Sequence, residues 1–135
     1  MTRAKAVAIA VGSALGAGVR WAVLVVWPVA GEFPWPVFAV NVIGCALLGV
    51  VLAEEWTHPR ARLAVHDGMA IGFCGGLTTV STVAVEVAAF GRDGRLGLGV
   101  VYLAVSVVAG LVAAVAGAAA FRSVRALDLP LEAEP

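Results

Sequence analysis

Four runs of apolar residues, each near the roughly 20 needed to cross a hydrocarbon core about 30 Å thick, take up most of this chain of 135 residues. The first extends from about residue 6 to 30, interrupted by Arg20 and by Pro28 near its end. The second covers 35–53, with Asn41 as its one strongly polar residue. The third, 69–90, carries Thr78, Thr79, Ser81, Thr82 and Glu86, and the fourth, 96–121, carries Tyr102 and Ser106. These runs predict an all-α integral membrane protein, a single domain over 1–135 built from four transmembrane helices.

Composition agrees. Only 13% of residues are charged, against about 25% in soluble domains, so there is too little polar surface for a water-exposed globule. That excludes a soluble enzyme and an acidic disordered segment. Nine basic residues balance nine acidic ones, which leaves no basic face for nucleic acid. His58 and His66 fall in a charged linker, where they read as solvated and without catalytic partners. The partner environment is a lipid bilayer.

The connections are short. Gly31-Glu32-Phe33-Pro34-Trp35-Pro36 is a proline-punctuated turn, Glu54 to Asp67 is the longest charged linker, and Gly91-Arg92-Asp93-Gly94-Arg95 is a polar turn. The tail beyond Arg122, ending in Leu131-Glu132-Ala133-Glu134-Pro135, reads as solvated. An even number of spans places both termini and the middle linker on one side. That side holds six basic residues (Arg3, Lys5, Arg60, Arg62, Arg122, Arg125) against Arg92 and Arg95 opposite, which predicts cytoplasmic termini. Arg3 and Lys5 before an apolar run resemble a signal peptide, but the run resumes after Arg20 and three further spans follow. Cys45 and Cys74 lie within apolar segments and read as small packing residues.

Polar groups at membrane depth are costly and therefore informative. Arg20 either snorkels toward the Pro28 end of its helix or forms an electropositive vestibule. Asn41 either bonds two helices together or lines a pore. Tyr102 and Ser106, four residues apart, share a helix face. Glu86 lies near a membrane end, where solvation alone could satisfy it.

The third span differs in kind. Gly72-Phe73-Cys74-Gly75-Gly76-Leu77-Thr78-Thr79-Val80-Ser81-Thr82 sets a glycine doublet before a hydroxyl cluster. Each glycine weakens a helix by about 1 kcal/mol relative to alanine, so a break near mid-span is expected. Backbone freed at that depth must meet protein, water or an ion, and bare carbonyls suit a hard cation. Thr79, Thr82, Val83 and Glu86 follow helical spacing beyond the break. Gly12-x-x-x-Gly16 and Gly72-x-x-x-Gly76 favour close helix contact.

With these residues the sequence resembles the Fluc (CrcB) family of fluoride channels. The third-span string is similar to the family signature, and three other pieces agree in order: Gly16-Ala17-x-x-Arg20-Trp21, Asn41-x-x-Gly44 and Tyr102-x-x-x-Ser106. The resemblance implies an antiparallel dimer with two fluoride pores at the subunit interface, which passively export fluoride from the cell. It also implies a structural Na+ ion, not transported, on the carbonyls of Gly75 and Thr78. By the same resemblance Asn41, Thr79, Ser81, Thr82, Glu86, Tyr102 and Ser106 match the fluoride pathway, and Arg20 matches a vestibule arginine. The family motif has phenylalanines where this chain has Val80 and Val83. Valine lacks the electropositive ring edge that could face an anion. That departure, with the charge bias, suggests one half of a heterodimer rather than a homodimer. Other readings of a four-span chain are a small drug/proton antiporter and a non-conducting scaffold. The antiporter needs an intramembrane carboxylate early in the chain, where this sequence has Arg20.

Overall fold

The computed structural model describes residues 2–29, 31–54 and 56–128; the Ala30 end of the first run, Glu55 in the linker and the acidic tail lie outside them. Helix α1 (Arg3–Val26) is capped by Thr2, whose hydroxyl accepts the Lys5 N–H at 3.3 Å. It ends at Trp27, because the residue before a proline is pushed out of helical geometry. Helix α2 (Trp35–Leu52) begins with Pro36 in its first turn, where a missing N–H does no harm. The third span begins with a short helix α3 (Pro59–Ala61) and widens into a π-helical segment (Arg62–Cys74). It closes with one turn, α4 (Gly75–Leu77). Thr78 and Thr79 are extended, and helix α5 (Val80–Arg92) restarts the span. Helix α6 (Leu96–Asp128) completes the chain, and the four units are each long and apolar enough to cross a membrane.

Two boundaries differ from those read in the pattern. The third span starts at Pro59, so Arg60, Arg62, His66 and Asp67 are helical rather than linker. Helix α6 continues past Phe121 to Asp128, a length of 33 residues or about 50 Å at 1.5 Å per residue. Hydrophobicity marks where lipid ends, and a helix can continue beyond it into water.

Close backbone contact at glycines joins α1 to the first half of the third span and α2 to α6. Helix α1 lies along the π-helical segment and α4, while α2 lies along α6. A Cβ built on Gly12 would collide with the Gly68 carbonyl oxygen and come within 2.9 Å of the Phe73 nitrogen. One on Gly16 would meet the Phe73 carbonyl and, at 2.8 Å, the Leu77 nitrogen. On the other side, Gly49 and Gly117 face the backbone of Ala114 and Ala46. Such small-residue seams suit lipid, where burying apolar side chains gives helices little reason to associate. The larger apolar residues point outward instead: Val7, Leu15, Val25, Val108 and Val115 are all exposed.

Ion pairs mark the two ends. Lys5 Nζ lies 3.2 Å from Asp67 Oδ1, and Arg125 pairs with Glu54. These bring the start of α1, the start of the third span, the end of α2 and the end of α6 to one side. At the opposite end Arg95 lies 2.8 Å from Glu32. The two turns predicted to share a side therefore do so.

The seam gives a paired prediction. Gly12→Ala is expected to lose about 1–3 kcal/mol by overpacking rigid backbone. Gly18→Ala, where an added Cβ meets nothing within 4 Å, should gain about 0.4–1 kcal/mol. Thermal unfolding of the two variants in detergent checks both signs.

Candidate functional site: the break in the third span

The break falls two residues after the glycine doublet. Gly75 and Gly76 remain helical, and the chain leaves the helix at Thr78 (ψ 154°) and Thr79 (φ −152°). Gly76 serves packing: a Cβ there would strike the Ser13 carbonyl and sit 2.8 Å from its Cα.

Side chains take the bonds that a continuous helix would have made. The Thr79 N–H would close on the Gly75 carbonyl four residues back; instead it donates to Asn41 Oδ1 at 2.7 Å. The Thr82 N–H would close on the Thr78 carbonyl, but donates to Thr79 Oγ1 at 3.1 Å, an N-cap for α5. The carbonyls of Gly75 and Thr78 are thereby released. Asn41 Nδ2 also donates to the Thr79 carbonyl at 3.3 Å, so one amide holds both polar groups of that residue. Arg20 Nη1 donates to the Thr78 carbonyl at 3.1 Å. The Thr78 hydroxyl turns back onto the Cys74 carbonyl at 3.0 Å.

Beyond the break, hydroxyls gather at the start of α5. Thr79 Oγ1 lies 3.0 Å from both Ser81 Oγ and Thr82 Oγ1. Thr79 is buried, Thr82 half-buried, and Ser81 and Gly75 exposed. The N-terminus of α5 adds a partial positive charge at this point. Glu86 is half-buried further along α5 and makes no ion pair among the described residues.

Tyr102 and Ser106 lie deeper on α6. Tyr102 is 0% exposed, and neither its Oη nor Ser106 Oγ finds a hydrogen-bond partner among the described residues. The Tyr102 ring packs edge-on against Phe33 at 5.2 Å and against Phe90 at 6.2 Å. Val83 joins this cluster at 6% exposure, whereas Val80 is 82% exposed and projects away from the bundle.

The structure thus brings Arg20, Asn41, Thr78 and Thr79 into one bonded group, joined by Ser81 and Thr82. Tyr102 and Ser106 form a second polar pair behind an aromatic collar. Sequence reasoning missed that collar (Phe33, Phe90) and the hydrogen bond from Ser13 Oγ to the Gly72 carbonyl at 3.3 Å. The signal for Ser13 was its place inside the Gly12–Gly16 stripe. His66 is also less solvated than its linker reading, with Nδ1 3.0 Å from Asp67 Oδ1.

A four-span bundle whose third span opens at mid-length, presenting carbonyls before the gap and hydroxyls after it, defines a membrane protein built to handle ions. Comparison with known proteins narrows that class. The family described as "CrcB-like protein, Camphor Resistance (CrcB)" matches residues 7–118. The "Fluoride-specific ion channel FluC 1" of Streptomyces coelicolor is 41% identical over 114 residues, covering 83% of this chain and 74% of that protein. The "Fluoride-specific ion channel FluC" of Chlorobium phaeobacteroides is 38% identical, covering 81% of this chain and 85% of its own length. The protein of that name from Azotobacter vinelandii is 38% identical over 82% of this chain and 90% of its own length. The chain belongs to the CrcB family.

Removing the amide at the break should be severe. Asn41→Ala leaves the Thr79 N–H and carbonyl unpaired away from water, at about 1–3 kcal/mol for each group. A fall in thermal midpoint larger than that of Ser81→Ala, an exposed residue with a single side-chain hydrogen bond, is the expected outcome.

Proposed function

We propose that this chain is a subunit of a fluoride-selective ion channel that lets fluoride leave the cytoplasm passively. The observation that carries the reading is the break itself, in a chain of this family. Its downstream side offers a chain of hydroxyls at a helix N-terminus, and Tyr102 and Ser106 keep buried oxygens without partners. A buried hydroxyl without a partner costs about 1–3 kcal/mol, and a water or a small anion would relieve that. Fluoride is small and strongly hydrated, so a selective route must replace its water with closely placed donors. Arg20 would draw the anion in, and the neutral hydroxyls would pass it on.

The residues also fit a structural Na+ ion. A hard alkali cation takes oxygen ligands, and the hydrogen-bond exchange at the break releases the carbonyls of Gly75 and Thr78 from the helix, the latter accepting only from Arg20 among the described residues. Gly75 is exposed with open space around it, so a second subunit could approach there. A cation bound so close would lower the barrier for an anion nearby.

The assembly proposed is an antiparallel dimer. With six basic residues on the terminal side against two opposite, the termini of this chain are assigned to the cytoplasm. A fixed orientation, with valine at positions 80 and 83, favours a heterodimer with a homologous subunit that carries the rings. The carboxylate needed early in an antiporter is replaced here by Arg20, and a scaffold gives no reason for orphaned buried hydroxyls.

Vesicle efflux tests the reading. The chain reconstituted alone should release little fluoride, and together with a phenylalanine-bearing homologue it should release fluoride while chloride is retained. Flux of chloride alongside fluoride, or no flux in either preparation, would overturn the channel reading. Robust fluoride release from the chain alone would remove the heterodimer. The two valines should also respond differently to restored rings. Val80→Phe enters open space and should leave the thermal midpoint unchanged, whereas Val83→Phe overpacks the Tyr102 cluster at about 1–3 kcal/mol.

A further inference from the structure

We propose that the Arg20 guanidinium is shared between the Thr78 carbonyl and an incoming anion, so that anion entry and cation binding at the break strengthen each other. The inference rests on the reading above that Gly75 and Thr78 hold Na+.

Three observations carry it. Arg20 Nη1 donates to the Thr78 carbonyl at 3.1 Å, the same oxygen that the cation would need. Arg20 is half-buried within a membrane span, and among the described residues no carboxylate pairs with it. That single bond to Thr78 is its only described hydrogen bond, although a guanidinium carries five N–H donors. An uncompensated cation with unused donors at such depth is an anion acceptor by default.

The conflict at Thr78 then sets the sign of the coupling. A guanidinium on that carbonyl occupies one of its lone pairs and places a positive charge beside the cation site. An anion within reach of the remaining N–H groups neutralises that charge and draws the guanidinium off the oxygen. Both effects favour a cation on the carbonyl. By linkage, a bound cation must raise anion affinity by the same factor. The coupling runs through one side chain and needs no movement of the helices.

The test titrates sodium into the full chain in lipid nanodiscs and reads the sodium concentration that gives half of the thermal stabilisation. N-methylglucamine replaces sodium, and fluoride is compared with gluconate at equal ionic strength. The wild-type midpoint should fall about tenfold in fluoride. In Arg20→Gln the midpoint in gluconate should already be low, and fluoride should no longer move it. General damage would shift this midpoint upward, so the sign separates the proposal from instability. If Arg20→Gln does not fold, Arg20→Lys serves: a shorter point donor without the fork should retain less than half of the coupling on a logarithmic scale. An anion effect that persists in full in the variant used would overturn the proposal. So would a wild-type midpoint indifferent to fluoride, or no sodium dependence at all. The last result would leave the fluoride channel itself standing, because vesicle efflux reads that separately.

Discussion

A peptide group in hydrocarbon has no water to turn to, and leaving one unpaired costs several kcal/mol. Two residues out of helical geometry at Thr78 and Thr79 would therefore be prohibitive if the surrounding side chains did not take over their hydrogen bonds. Asn41 holds both polar groups of Thr79, the Thr79 hydroxyl caps α5, and Arg20 takes the Thr78 carbonyl. This exchange has an electrostatic consequence. The upstream half of the span ends in carbonyls and the downstream half begins with N–H groups, so a single interruption creates a negative end and a positive end a few residues apart. On the proposed reading, opposite ions would be served from one place.

The interruption stays where it is because backbone holds it from both sides. On the α1 side, Gly16 faces the Leu77 nitrogen and Gly76 faces Ser13. On the α2 side, a Cβ on Gly44 would collide with the Thr78 methyl group. Asn41 and Gly44 are three residues apart and share a helix face, so one turn of α2 provides both the amide that bonds Thr79 and the notch that seats Thr78. Close approach at the glycine seams lets these short side chains reach. With larger residues there, the helices would stand apart and the amide would fall short of the break.

The spans, the shared side of the two termini and the presence of a break were all legible in the sequence, because hydrophobicity and glycine act locally. The position of the break was not. A doublet at Gly75-Gly76 marks a weak point, yet both residues stay helical, and the chain opens where competing acceptors are available. Asn41 is the decisive acceptor, 38 residues away along the chain, and nothing near Thr78 announces it. Hydropathy likewise could not show where the helices themselves begin and end: the third-span helix starts at Pro59 and α6 runs to Asp128, on polar residues tied by Lys5–Asp67 and Arg125–Glu54. Nor could spacing show that Val80 and Val83 differ in surroundings: Tyr102 and its collar cover one and leave the other bare.

On the proposed reading, the hydroxyl cluster bears on why an anion route can be selective without becoming a trap. The hydroxyls of Ser81 and Thr82 each lie 3.0 Å from that of Thr79. An anion arriving there does not meet idle donors. It would replace hydroxyl–hydroxyl bonds with stronger, charge-assisted hydroxyl–anion bonds, so the gain on binding is reduced by the bonds given up. A permanent cation at the same point would bind more tightly and release more slowly, which conduction cannot tolerate. Arg20 is such a cation; its one described hydrogen bond goes to the Thr78 carbonyl, so an anion taken up by the guanidinium would compete with that bond. The hydroxyls of Tyr102 and Ser106 are the exception, buried without a partner among the described residues, and on the proposed reading an anion would meet free donors there.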